Sequence, residues 1–220
     1  MQKLFDIKKT QLEMVRDRGY DIYPDELAIL NMTLREFTAY VNALKQANPK
    51  LTIRAVLTRL YTARLPTGEE KSMLVYFGGK TDSQQKQVPA ATVRNFIGSI
   101  QQYRATESVF IVDAPLSSKG DTELKALTTT KWQIFQDGDL TYNPTTHVDT
   151  PRHELLSPEE TQEKLVELKA DLTKLLLIKV TDPVIRYYGW SVGGLVRVYR
   201  NDQSISVLSP ESINYRVIVG

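Results

Sequence analysis

Apolar side chains between residues 4 and 17 recur at helical spacing, with Leu4, Ile7, Leu12 and Val15 near one face and Gly19 placed as a helix-ending residue. This predicts a first helix from Lys3 to about Arg18. Thr33 and Glu36 form a capping-box pair, Met32 and Phe37 are spaced as a hydrophobic staple, and a second helix should carry Leu34, Phe37, Val41 and Leu44 inward until Asn48-Pro49. From Ile53 to Tyr61 and from Ser72 to Phe77 the residues turn β-branched and aromatic. The Pro66-Thr67-Gly68-Glu69-Glu70 turn joins them, so a hairpin is expected, closed by Gly78-Gly79. Val93, Phe96, Ile97 and Ile100 return to helical spacing before Val109-Phe110-Ile111-Val112, a helix and then a buried strand. Pro115 to Asp121 reads as a loop, Thr122 to Leu127 as a short helix, and Trp132 to Phe135 as a further strand.

The polar, proline-containing stretch from Asp137 to Pro151 is the best domain boundary, giving an N-terminal domain 1–146 and a C-terminal domain 147–220. In the second, Ser157-Pro158-Glu159-Glu160 is a strong helix start, and that helix carries Leu165 and Leu168. A strand near Leu177 to Val180 precedes a short helix capped by Asp182, opened by Pro183 and ended by Gly189. Strands at Leu195 to Arg200 and Ile213 to Val219 flank a polar loop, Asn201 to Ser212. The fold class is α+β, an α/β domain followed by a small mixed α/β domain.

Composition narrows the chemistry. The 220 residues contain no Cys, which excludes disulfides, thiolate nucleophiles, cysteine zinc sites and iron–sulfur clusters. No apolar run is long enough to cross a bilayer and no signal-peptide core opens the chain, so a soluble, unsecreted protein without a membrane partner is expected. The formal charge is +2, split as +3 over 1–146 and −1 over 147–220, far from the balance of an autonomous nucleic-acid binder.

Four constellations carry candidate chemistry. Glu69 and Lys71 supply the Glu-x-Lys pair of a metal-dependent nuclease, set against a solvated hairpin turn. His147 and His153 with Asp149 offer three metal ligands, set against surface hydrogen bonds. Arg35 to Arg64 holds six basic residues against the single acid Glu36, a phosphate-facing surface or a solvated face. Tyr187, Tyr188, Tyr199 and Tyr215 suit core and subunit-interface packing better than base stacking, because their domain is slightly acidic.

The run Thr181-Asp182-Pro183-Val184-Ile185-Arg186-Tyr187-Tyr188-Gly189, followed by Gly193, Val196-Arg197-Val198-Tyr199-Arg200 and the closing Tyr215-Arg216-Val217-Ile218-Val219, resembles one family's C-terminal signature. That family is the fifth, shared subunit of eukaryotic RNA polymerases together with its archaeal counterpart. His153-Glu154-Leu155-Leu156-Ser157-Pro158-Glu159-Glu160 resembles the entry to the same domain, Thr146-His147-Val148 with Pro151 its interdomain stretch, and Met14-Val15-Arg16-Asp17-Arg18-Gly19-Tyr20 the end of the first helix of the eukaryotic jaw domain. Between Tyr20 and Phe135 only the order of elements is similar. Two departures mark a divergent member: Ser191-Val192 stands where the family has a basic pair, and Asn201 to Ser212 is longer than the family's hairpin.

The resemblance implies a non-catalytic subunit of a DNA-directed RNA polymerase, with no cofactor of its own and the magnesium in other chains. It implies a jaw near downstream DNA and an assembly domain on the largest subunit and neighbouring small subunits, in the nucleus, or in the cytoplasm or virion for a viral copy. On that reading Asp182, Pro183, Arg186, Tyr187, Tyr188, Gly189, Arg197, Arg200, Tyr215 and Arg216 serve assembly, with the two tyrosines as aromatic anchors. Ser117, Ser118 and Lys119, in a loop from Pro115 to Gly120, would meet downstream duplex DNA through weak, sequence-independent contacts. The alternatives are a stand-alone nuclease using Glu69 and Lys71, or an adaptor with a borrowed assembly fold.

Overall fold

The computed structural model describes residues 1–65, 67–82, 84–200 and 212–220. The chain divides into two compact units, Met1–Tyr142 and Asn143–Gly220. The division lies inside the polar stretch but before residue 146, because Asn143 is buried and donates from Nδ2 to the Tyr187 hydroxyl at 3.0 Å.

Unit 1 opens with α1 (Gln2–Asp17), whose exit is a left-handed Gly19 at φ +75°. The short α2 (Pro24–Leu27) follows, and then α3 (Leu34–Ala47) behind the expected capping box: Glu36 Oε2 accepts from the Thr33 amide at 2.7 Å. Of the four apolar positions expected inward on α3, only Phe37 and Val41 are buried, while Leu34 is exposed. The helix rests on α1 through Phe37, whose ring lies 4.9 Å from that of Phe5, and only about a turn of the stripe is covered.

The expected strand at Ile53 begins instead at Arg59. Thr52 Oγ1 accepts from the Ala55 amide at 3.1 Å and bends the chain into a 3-10 turn, Ala55–Leu57, with Ile53 left exposed. β1 (Arg59–Arg64) then pairs antiparallel with β2 (Glu70–Phe77). The chain continues through α4 (Ala90–Tyr103), β3 (Glu107–Val112), α5 (Ser118–Lys125) and β4 (Lys131–Gln136). The sheet order is β1-β2-β3-β4, with β2, β3 and β4 parallel. Such a sheet is covered on both faces, which is why β3 is apolar without alternation. Leu74, Phe110 and Val112 pack against Val93, Phe96 and Ile100 of α4, with Phe96 stacked on Phe110 at 4.5 Å. Gly78 ends β2 where a Cβ would meet Phe110 Cε2 at 2.3 Å, so only glycine fits beneath that stack.

The opposite face carries polar atoms that the apolar pattern does not announce. Lys8, fully buried on α1, lies 2.6 Å from Glu26 Oε1 and donates to Gln11 and to the Tyr61 hydroxyl, which itself donates to Glu26 at 2.7 Å. Burial pulls the Lys8 ammonium below its ordinary value, and Glu26 opposes that pull.

Unit 2 contains β5 (Arg152–Leu155), α6 (Pro158–Leu168), β6 (Leu176–Lys179), α7 (Pro183–Tyr188), β7 (Leu195–Arg200) and β8 (Ser212–Val219). Its sheet runs β5-β7-β8-β6; β6 and β8 are parallel and the other pairs antiparallel. Ile178, Val196, Val198 and Ile218 meet Ile185 of α7 in one cluster, while Leu195 and Val217 join Leu156 in another. The expected capping box of α6 is present, yet none of its residues is fully buried.

Candidate assembly and nucleic-acid surfaces

In unit 2 the chain builds α7 from a tight local grammar. Asp182 Oδ1 accepts from the Val184 amide at 2.9 Å, Pro183 fills the first turn, and Gly189 closes it at φ +69°. Helical rotation then separates the two tyrosines. Tyr187 is turned inward, 1% exposed and bonded to Asn143, so it is a core residue. Tyr188 stays half-buried, meeting Tyr187 edge-on at 5.3 Å and stacking on Trp190 at 4.5 Å. Arg186 is half-buried beside them. The expected pair of aromatic anchors is therefore one at most, with Trp190 as the partner that the sequence reading missed.

The sheet brings a second group together. Registers Glu154↔Arg197 and Arg197↔Tyr215 place Glu154, Arg197 and Tyr215 abreast on one face. Tyr199 donates its hydroxyl to Glu154 Oε2 at 2.6 Å, and Arg197 Nη1 donates to the same oxygen at 3.2 Å. Arg152 lies over the Tyr199 ring at 5.0 Å, and Lys164 of α6 over Tyr215 at 5.3 Å. The Tyr199 hydroxyl, and with it the Arg197 and Arg152 cations, holds the Glu154 carboxyl below its ordinary value. The same hydroxyl holds the Arg197 guanidinium above its own. Neither Arg152 nor Glu154 stood among the expected assembly residues; the pairing of β5 with β7 sets them opposite Tyr199 and Arg197. Arg216 is half-buried on the opposite face, and its Nε has no hydrogen-bond partner among the described residues. Arg200 ends β7; of the loop that departs from the family, Asn201 to Ser212, residues 201–211 lie outside the described residues and Ser212 opens β8.

In unit 1, Ser117, Ser118 and Lys119 do not form a flexible loop. Ser117 Oγ accepts from the Gly120 amide at 3.3 Å and caps α5, so Ser118 and Lys119 form its first turn. Backbone bonds from Val88 N to Pro115 O and from Ser117 N to Val88 O pin the approach. Ser118 and Lys119 are exposed. A serine cap earlier than the expected helix start is the signal that the loop reading passed over.

Three of the six basic residues from Arg35 to Arg64 are engaged within the unit. Arg54 grips Asp137 through both Nη atoms at 2.9 and 2.8 Å and donates from Nε to the Gly78 carbonyl. Arg59 pairs with Asp25 at 2.7 Å, and Lys45 Nζ bonds the Pro49 and Leu51 carbonyls. Arg35 on α3, Lys50 after it and Arg64 at the end of β1 stay exposed, so three of the six cations remain at the surface on separate elements.

Lys71 Nζ donates to the Arg18 carbonyl at 2.9 Å and sits 4.2 Å from the centre of the Tyr20 ring, a packing role rather than one beside a metal with Glu69. His147 faces Asp149, whereas His153 Nδ1 bonds the Pro151 carbonyl at 2.7 Å. Among the described residues no three His, Asp or Glu side chains gather as metal ligands, and no helix is long and apolar enough to cross a membrane.

Comparison with known proteins fits this two-unit organisation. Residues 1–100 match the model of the RNA polymerase Rpb5 N-terminal domain, and residues 142–218 match that of the Rpb5 C-terminal domain. A subunit 5B of RNA polymerases IV and V from Arabidopsis thaliana is 26% identical, over 98% of this chain and 89% of its own length. The RPABC1 subunit of RNA polymerases I, II and III is 26% identical in Caenorhabditis elegans, over 99% of this chain and 96% of the relative. The corresponding subunit in Dictyostelium discoideum is 25% identical over 100% and 98%. Two domain models matched in order, with similarity running the length of the chain, make it a divergent member of the Rpb5 family of RNA polymerase subunits.

Proposed function

We infer that the chain serves a DNA-directed RNA polymerase as a non-catalytic subunit in transcription, with the unit Met1–Tyr142 as a jaw beside downstream DNA and Asn143–Gly220 as the module seated on the largest subunit. The observation that carries this reading is the ordered match of both Rpb5 domains within one chain. For assembly, α7 offers Tyr188 and Arg186 at its rim, and the adjoining sheet offers Arg197 and Tyr215 with Arg152 and Glu154. Neighbouring small polymerase subunits complete the seat, and the setting is the nucleus. At the jaw, Ser118 and Lys119 present a hydroxyl and a cation on the first turn of α5, where the helix end also favours an anion. One such contact changes the salt dependence of DNA binding by about one unit or less, and matters only where other subunits already hold the duplex.

Photo-crosslinkers at positions 119 and 183 of the incorporated chain test the two placements separately. The reading expects position 119 to mark duplex DNA ahead of the active centre and position 183 to mark the largest subunit. Protein-only crosslinks at 119 would remove α5 from the DNA path, and crosslinks at 183 confined to other chains would move the assembly surface off α7.

A further inference from the structure

β6 is the terminal strand of its sheet and pairs only with β8 among the described strands. Neighbouring side chains on a strand point to opposite faces, so Leu176 and Leu177 sit one on each side of this edge. Both are open, at 55% and 57% exposure, while the next residue, Ile178, is 7% exposed in the core. Natural edge strands are blunted by shortness, charge, proline, bulges or a covering element; β6 is short and ends in Lys179, but its two leucines stay uncovered, one on each face.

The geometry selects the occupant. A helix laid on either face covers one leucine and leaves the other in water. An extended segment added along the edge sends its own alternate side chains to both faces and covers both, while its backbone meets the edge of β6 that no described strand pairs. Charge selects its ends. From Lys169 to Lys179 the chain has three lysines and one acid, Asp171, which pairs with Lys174, so the segment keeps an excess of two positive charges. Lys169 and Lys174 line the open groove between the end of α6 and the turn leading into β6. Lys179, at the far end of the strand, is exposed and has no ion pair among the described residues. A second copy of β6 would set this basic cluster against itself.

We propose that β6 receives an extended apolar segment of another polypeptide, flanked by acidic residues, by strand addition at Leu176–Lys179. The site is distinct from the α7 surface and goes beyond the polymerase reading without depending on it.

The test uses the isotope-labelled full chain, titrated with a synthetic peptide of alternating valine and threonine with aspartates at both ends. The same peptide with lysine ends and a helical peptide of equal negative charge serve as controls. The aspartate-ended peptide should shift the amides of Leu176 to Lys179 and bind about tenfold or more tighter than the lysine-ended one. Leu177→Lys should weaken that binding about tenfold while leaving the melting temperature unchanged, since the side chain lies in water. Should that variant fail to fold, the Lys174→Glu, Lys179→Glu double variant should reverse the preference between the two extended peptides. Equal binding of both, preference for the helical peptide, shifts away from β6, or no saturable shift overturns the proposal. Concentration-dependent shifts at β6 without peptide would overturn it in favour of a second copy.

Discussion

Replacing Arg54 by Leu removes four hydrogen bonds at once: two to Asp137, one to the Gly78 carbonyl and one to that of Ile111. These acceptors lie at or just beyond the ends of three neighbouring parallel strands, so one guanidinium ties β2, β3 and the exit from β4 together. Its side chain is 17% exposed and that of Asp137 is 10% exposed. Removing one partner of a fully buried pair costs about 3–5 kcal/mol, and the residual solvent here argues for the lower end, about 3 kcal/mol. For a unit of this size each kcal/mol lowers the melting point by about 2–4 °C, so a fall of about 6–12 °C is expected. Arg94→Leu breaks an exposed pair with Glu123 and should cost no more than about 1 kcal/mol. Adding Asp137→Leu to Arg54→Leu should recover part of the loss, because the orphaned carboxylate is gone. Calorimetry, with Trp132 fluorescence on β4 as a second probe, reads all four proteins. If Arg54→Leu melts within about 1 °C of the parent and no lower than Arg94→Leu, Arg54 is a solvent cation and the basic stretch regains its claim on phosphate.

Tyr187→Phe and a fragment starting at residue 147 each remove the Asn143–Tyr187 bond, so each should lower unit 2 stability by about 1 kcal/mol or more, with little further loss when combined; additive losses in urea titrations would show that the bond is not the shared cause. Ser117→Ala should cost about 1 kcal/mol in unit 1 by uncapping α5, whereas Ser118→Ala should be nearly neutral; equal effects in thermal melts would return this stretch to a loop. Because the Tyr199 hydroxyl and then the neighbouring cations depress Glu154, its stabilisation is complete above the unfolded Glu value of about 4.3 and is lost as pH falls through the lower folded value. Urea midpoints of Glu154→Gln and Tyr199→Phe should therefore lose part of that acid-range slope, and slopes identical to the parent would contradict the assignment.

The helices and strands were largely legible in the sequence because their signals are local. The Thr33–Glu36 and Ser157–Glu160 boxes, the Asp182-Pro183 start and the Gly189 stop each need only neighbouring residues, and all stand where expected. What escaped was partnership across sequence distance. Lys8 falls on the same helical stripe as Leu4 and Leu12, and only Glu26 and Tyr61, far along the chain, explain why a lysine is buried there. Arg54 read as a surface cation because Asp137 lies 83 residues away. At the candidate assembly surface, the motif found α7 and the strand tyrosines, but only helical rotation and the bond to Asn143 decide that Tyr187 faces inward while Tyr188 does not. Strand register, which brings Arg152 and Glu154 beside Tyr199 and Arg197, likewise waits on pairing that no local pattern encodes.

The most direct test of the central claim is native purification of the tagged full chain from its own cells, with stoichiometry read by quantitative mass spectrometry. Membership predicts recovery of the two largest subunits of a DNA-directed RNA polymerase at one copy each per chain, in a salt-resistant complex that elongates RNA. A chain recovered free of those subunits, or in a stable complex without them, would contradict the account.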